Sequence, residues 1–208
     1  MSPPACEALL QACAIPTAGT RVVRSVAEAC AVARTIGYPV VLKGSGPDIL
    51  HKTEAHAVYP SLSDEAAVAD AYVALSSRPD VAAVLVQPMV QGVEMLIGVS
   101  FDGKFGHAVL CGSGGTLVEL LRDTSCRLAP LTDVTARQML DELRGIALLR
   151  GYRGAPPADE AALADILMRV SALVEICPEI EELDLNPILV SATGAVAVDA
   201  RIRVRAHA

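Results

Sequence analysis

Apolar positions along this chain recur in two periods, one helical and one strand-like, and the switches between them mark its elements. Residues 5–14 read as a short helix closed by Pro16 and Gly19. Ser25-Val-Ala-Glu28 is a capping-box pattern, in which the serine and glutamate side chains take up amides left unbonded at a helix start. The helix it opens runs to Gly37, a residue suited to ending one. Tyr38–Lys43 is a short apolar run of strand type and Ala57–Leu62 a second, after which Ser63-Asp-Glu opens a helix reaching about Ser76. Arg78-Pro-Asp turns the chain into a further strand, Val81–Gln87.

At Pro88 the pattern changes, and the lobe boundary is placed there. Glu94–Phe101 and Lys104–Cys111 flank Asp102-Gly103, a dipeptide that favours a tight hairpin. Gly112-Ser-Gly-Gly115 is a flexible loop, and the mixed stretch 117–131, with Arg122, Asp123 and Arg127 among apolar residues, yields no element. Asp133–Leu149 reads as one helix capped by Thr132. Leu163, Ile166, Leu167, Val170, Leu173 and Val174 then form one apolar stripe that ends before Pro178. Strands over 182–190 and 195–202, joined about Thr193-Gly194, finish the chain. Helices alternating with strands, followed by a hairpin-rich part, predict an α/β protein of two lobes, 1–87 and 88–208.

Composition narrows the partners. The 208 residues can bury a substantial core. Although 52% are hydrophobic, no uninterrupted apolar run approaches the roughly 18 residues a membrane span needs. The opening MSPPACEALLQ lacks the pattern of a secretory signal, so the expectation is a soluble cytoplasmic protein with no membrane partner. A net charge of −7, two Phe, four Tyr and no Trp argue against nucleic acid, which wants a basic face and stacking rings. Six scattered cysteines show neither a disulfide frame nor zinc-ligand spacing.

Candidate chemistry gathers in two places. The chain has three lysines against 14 arginines, and two of the three, Lys43 and Lys52, fall within ten residues beside His51. A strand ending in a compact ammonium, then a glycine-containing loop with His and Lys, suits the handling of phosphate. Spacing alone is also consistent with a strand-end lysine reaching water. In the last hairpin, Asp184 and Asn186 are two apart and share a strand face. If Thr193-Gly194 is a two-residue turn, Asp199 pairs with Ile188 and stands diagonally beside Asn186. Two carboxylates and an amide oxygen are hard ligands suited to Mg²⁺, or simply polar residues on a solvated hairpin face.

Pro39-Val-Val-Leu-Lys-Gly-Ser-Gly-Pro-Asp-Ile-Leu-His-Lys52 resembles the signature of the ATP-grasp domain of nucleoside-diphosphate-forming acyl-CoA synthetases, relatives of the succinyl-CoA synthetase β subunit. Further blocks match in order: VLVQPMVQGVEMLIGV (84–99), GSGGTLVELLRDTSCRLAPL (112–131), LLRGYRGAPPAD (148–159) and ELDLNPILV…VAVDARI (182–202). The resemblance implies an ATP-grasp fold of two α+β lobes with nucleotide held between them. It implies that Lys43 contacts nucleotide phosphates and that adenine lies against the backbone around Gln87, Pro88 and Met89. Glu94 would accept from the ribose hydroxyls, and Asp184, Asn186 and Asp199 would hold the Mg²⁺ of MgATP. For Asp184 a second role, orienting a phosphohistidine, stays open. His51 matches the histidine that takes phosphate on its ring nitrogen, Glu119 a residue positioning it, and Arg127 a phosphate contact.

Departures stand beside the match. Ala55-His56-Ala57 occupies positions where the family carries glycines, and the segment from Asp64 to Val81 is shorter than in typical relatives. By resemblance the chain is a free-standing β subunit that uses ATP/ADP and Mg²⁺. CoA and a carboxylic acid would come through an α subunit with CoA-binding and ligase domains. A non-catalytic nucleotide-binding subunit and an ATP-grasp carboxylate–amine ligase are the alternatives.

Overall fold

Two antiparallel sheets, each packed on one face by helices, organise the chain. The structure is a computed structural model and describes residues 1–46, 49, 57–115 and 123–205. In order, the elements are α1 (Pro3–Ala12), β1 (Arg21–Val23), α2 (Val26–Ile36), β2 (Val40–Ser45), β3 (Val58–Leu62), α3 (Glu65–Ser76) and β4 (Ala83–Pro88). They continue with β5 (Val93–Asp102), β6 (Gly106–Ser113), β7 (Thr124–Leu128), α4 (Asp133–Asp141) and α5 (Ile146–Leu149). The last are α6 (Glu160–Ile176), β8 (Ile180–Ser191), β9 (Gly194–Ala197) and β10 (Arg201–Val204).

Residues 18–90 form one compact unit. Its sheet runs β1-β4-β2-β3. The side chains of Val40, Leu42, Val84 and Val86 join Ala29, Cys30 and Ala33 of α2 and Val68, Ala71 and Leu75 of α3 in one core. The helices start where their caps dictate: Ser25 Oγ accepts from Glu28 N at 3.1 Å, and Asp64 Oδ1 from Ala67 N at 2.8 Å. Glu28 closes its half of the pattern on the Arg24 amide, at 2.8 Å. Gly37, at φ +92°, ends α2.

Residues 1–17 and 91–208 form the other unit. Its sheet runs β10-β8-β5-β6-β7, with β9 also on β8. Met95, Ile97 and Val99 of β5 face Val109 and Cys111 of β6 and a core filled by α1, α4 and the stripe of α6. The expected boundary at 87/88 therefore lies three residues before the division at 90/91. The first helix, assigned by sequence to the N-terminal lobe, packs in the other unit. Cys6, Leu10 and Ile15 are buried in its core, Ala197 N donates to Pro16 O at 2.9 Å, and the N-terminal amine donates to Ile202 O at 2.8 Å.

Local expectations differ from the structure at several places: 117–131, read as no element, contains β7, and the strand expected over 195–202 is split into β9 and β10. The hairpin at Asp102-Gly103 closes with a three-residue loop, because Asp102 pairs with Gly106 and its carboxylate accepts from Lys104 N (2.7 Å) and Phe105 N (3.0 Å). The stretch 133–149 is two helices, broken over 142–145. The last hairpin pairs Ser191 with Gly194 and Ile188 with Ala197, two residues from the expected register. Among the described residues no helix is long and apolar enough to cross a membrane.

Candidate functional site

In the unit of residues 18–90, strand alternation sorts the candidates. Because Val40 and Leu42 face the helices, Val41 and Lys43 face away, and the register pairs them with Gln87 and Leu85. Lys43 and Gln87 thus share the sheet face opposite α2 and α3, and both are buried. Gln87 Nε2 donates to Thr20 Oγ1 at 2.6 Å, which fixes the amide on that face. The Met89 amide donates to Pro39 O at 3.2 Å, so its hydrogen bond is already made. Beyond β2 the chain hugs its neighbours: a Cβ on Gly46 would lie 1.9 Å from Asp80 O. Ile49 then anchors in the core, its amide donating to Gly46 O at 3.2 Å. His51, Lys52 and the first two residues of the Ala55-His56-Ala57 departure lie outside the described residues, as does Glu119.

In the other unit, odd-numbered positions of β5 face the helices, so Glu94, Leu96 and Gly98 line the opposite face. Asp184 pairs with Gly98 and shares that face. The extra residue that shifts the β5–β8 register falls at Asn186-Pro187, opposite Leu96. Along the other edge of β8, Ile188 pairs with Ala197 and Asp184 with Arg201, which puts Asp199 across from Asn186. A two-residue turn at Thr193-Gly194 would pair Asp199 with Ile188; the observed turn moves it two residues, from a diagonal to a facing position. Among the described residues no group of three or more His, Cys, Asp or Glu is placed to hold a metal. The set that fits Mg²⁺ by its donor chemistry is the mixed one, two carboxylates and an amide oxygen.

Glu94 is gripped by glycines. Its carbonyl accepts from Gly114 N at 2.7 Å. A Cβ on Gly114 would lie 2.8 Å from the Glu94 carbonyl carbon, and one on Gly115 would lie 1.6 Å from Glu94 Oε2. Close approach therefore requires glycine in the second half of Gly-Ser-Gly-Gly, a stricter demand than the flexibility its sequence suggests.

Arg127 lies elsewhere. It pairs with Val109 of β6, whose side chain is in the helix-side core, so it projects from the face opposite Glu94 and Asp184. There its guanidinium forms an ion pair with Glu142 and donates to Cys126 O at 2.9 Å. The Ser125 hydroxyl and then Arg127 hold the Glu142 carboxyl below its usual range. On the same side, burial pushes the Cys111 thiol up to about 12, which removes it as a nucleophile.

Sequence pattern misses two features. Arg201 stands across from Asp184, a register position that no periodicity reveals. Asp123 is a buried carboxylate accepting from Ser113 Oγ (2.9 Å), Arg144 N (2.8 Å) and Gly145 N (2.7 Å). Burial raises its pKa, but the Gly145 and Arg144 amides and the Ser113 hydroxyl outweigh that and hold it below the usual carboxylate value.

Comparison with known proteins extends over nearly the whole chain. The family described as ATP-grasp domain matches residues 1–204. The β subunit of acetate–CoA ligase (ADP-forming) II from Pyrococcus furiosus is 38% identical over 205 residues, 93% of this chain and 87% of that one. Acetate–CoA ligase (ADP-forming) I from Archaeoglobus fulgidus is 39% identical over 93% of this chain, which spans only 29% of it. Among solved structures, the dinucleotide-forming acetyl-coenzyme A synthetase 1 of Ca. Korarchaeum cryptofilum, in complex with coenzyme A, Ca-AMPCP and HgCl+, superposes with a TM-score of 0.90 at 37% identity. That alignment covers 96% of this chain and 91% of the other. A second structure of that protein carries coenzyme A and Mg-AMPPCP, with its phosphohistidine segment pointing towards the nucleotide-binding site. It superposes at 0.86, with 36% identity over 99% of this chain and 92% of its own.

Proposed function

The chain belongs to the ATP-grasp domain family, and from that premise we propose that it is the nucleotide-binding β subunit of an ADP-forming acyl-CoA synthetase. The observation that carries this reading is the match to a Pyrococcus furiosus β subunit over most of both lengths. The longer Archaeoglobus fulgidus ligase, of which this chain spans 29%, supports a partner that supplies the remaining parts. That partner would be an α subunit with CoA-binding and ligase domains. All six cysteines are free thiols, which fits a cytoplasmic setting.

Each residue has a part on this reading. Lys43 neutralises phosphate charge, and Gln87 shares its face next to the adenine-binding strand end. Met89, whose amide is bonded to Pro39, offers its carbonyl to the adenine amino group. Glu94 accepts from the ribose hydroxyls. Asp184, Asn186 and Asp199 would hold Mg²⁺, which supplies charge neutralisation at the phosphates. Arg127, held by Glu142 on the helix side, stays outside the nucleotide set. Glu119 keeps its place as the residue positioning His51.

His51 attacks the γ-phosphorus of ATP through a neutral ring nitrogen. The N–P bond forms, the P–O bond to the β-phosphate breaks, and ADP leaves with the bonding pair. The partner takes up the phosphoryl group and passes it to a carboxylic acid, and CoA then displaces phosphate from the acyl phosphate. Support for the relay comes from the Ca. Korarchaeum cryptofilum protein, whose phosphohistidine segment points towards its nucleotide-binding site.

The test is to incubate the chain and its partner with γ-labelled ATP and Mg²⁺ and look for acid-labile, base-stable label on this chain. Label that is present in wild type and missing in His51→Ala is the expected result. Nucleotide binding without label would sink the relay. It would favour a non-catalytic subunit, the reading to which Ala55-His56-Ala57 in place of glycines lends support, or a carboxylate–amine ligase, which needs no phosphohistidine.

A further inference from the structure

We propose that Asp123 is a positioning residue for nucleotide binding: through Ser113 it fixes where Gly114 and Gly115 lie against Glu94. The inference rests on the reading of Glu94 as the ribose acceptor and names a residue, remote from that face, which that reading does not include. A carboxylate only 6% exposed is costly unless its lone pairs are taken up. Asp123 meets that need with three donors, the Ser113 hydroxyl and the Arg144 and Gly145 amides, and its own carbonyl accepts from Ser113 N at 3.2 Å. The Ser113–Asp123 link is thus double, side chain to side chain and backbone to backbone.

This link immediately precedes the glycines that meet Glu94. A Cβ on Gly145 would lie 2.3 Å from Ser113 Oγ and 3.1 Å from Asp123 Oδ2, so the third partner must be glycine for the carboxylate to seat. Ser113 is followed directly by Gly114, whose amide is bonded to Glu94 O, and by Gly115, whose missing Cβ leaves room for Glu94 Oε2. A displacement of Ser113 would move Gly114 off the Glu94 carbonyl and Gly115 relative to the Glu94 carboxylate. A carboxylate needed only to cap residues 144–145 would have no reason to accept from the Ser113 hydroxyl as well.

The experiment titrates the chain with MgADP by calorimetry, in wild type, Ser113→Ala, Asp123→Asn and the double variant, with thermal unfolding alongside. Asn presents an N–H where a donor already points, so at least one of the three bonds is lost. Ser113→Ala should weaken binding about fivefold and Asp123→Asn about tenfold. The double variant should bind no worse than Asp123→Asn, because both changes break one link. Leu167→Ala, buried in α6 and remote from the link in sequence, should lose thermal stability yet bind MgADP as wild type does. Wild-type affinity in both Ser113→Ala and Asp123→Asn, with lowered thermal stability, would overturn the proposal and leave Asp123 a structural cap. Should Asp123→Asn fail to fold, Ser113→Ala decides alone, since it leaves two amides on the carboxylate. A wild-type chain that binds no MgADP would overturn the nucleotide-binding reading itself, and this inference with it.

Discussion

Glu94 Oε2 occupies the space that a methyl group on residue 115 would need, so any side chain there must push the carboxylate out of its place. Gly115→Ala adds a side chain 1.6 Å from the carboxylate oxygen at φ +63°, where an L-residue is strained by about 1 kcal/mol. The expected result is MgADP affinity reduced about tenfold or more, while Gly103→Ala, with nothing within 4 Å of its new Cβ, binds as wild type. Acid stability has a residue-level origin too. Asp123 is depressed in the fold, so its contribution is complete above the usual aspartate value and is lost as pH falls through the lowered one. Urea unfolding measured from pH 6 downwards should show a steeper acid limb in wild type than in Asp123→Asn, which has no proton to take up there. Arg127 shows why such details are hidden in the sequence. Its basic character beside a glycine-rich block suggests phosphate, but alternation along β7 decides which way it points. That strand is invisible in a stretch whose polarity is mixed by the buried Asp123 and the Arg127–Glu142 pair.

Elements with a local cause are readable from the chain, and those set by distant partners are not. The caps at Ser25, Asp64 and Thr132 each place a side-chain oxygen on the amide three residues on, so the starts of α2, α3 and α4 are dictated by their own sequence. The break between α4 and α5 has no such signal. The amides of Arg144 and Gly145 turn out of the helix to reach Asp123, more than 20 residues earlier. The β5–β6 hairpin is legible as a hairpin, but its length is set by Asp102, whose carboxylate caps two loop amides and opens a two-residue turn to three. Asp102→Ala should therefore lower unfolding free energy by roughly 1 kcal/mol in urea titration. It should leave MgADP affinity untouched, since the loop lies at the end of β5 away from Glu94.

At the scale of the molecule, the alternation of helices and strands that builds each sheet is mostly legible from the apolar pattern, whereas β7 and the membership of α1 are not. Sequence order favours packing a helix against its nearest neighbours along the chain. Residues 1–17 are stitched instead to the last strands, through the Met1 amine at Ile202, Pro16 at Ala197 and the parallel bridge from Thr17 to Ala197. The two apolar cores are correspondingly distinct, one containing Leu10 with Leu167 and Ile202, the other Leu42 with Leu75. Leu167→Ala removes a fully buried side chain and should cost about 2–5 kcal/mol. Native-state hydrogen exchange gives that loss an address. Amides of α1 should exchange faster together with those of β5 and β8, while those of α2 and α3, closer to α1 in sequence, keep their protection. Acceleration of α2 and α3 in step with α1 would mean that the helix belongs with its sequence neighbours and that the two cores open as one.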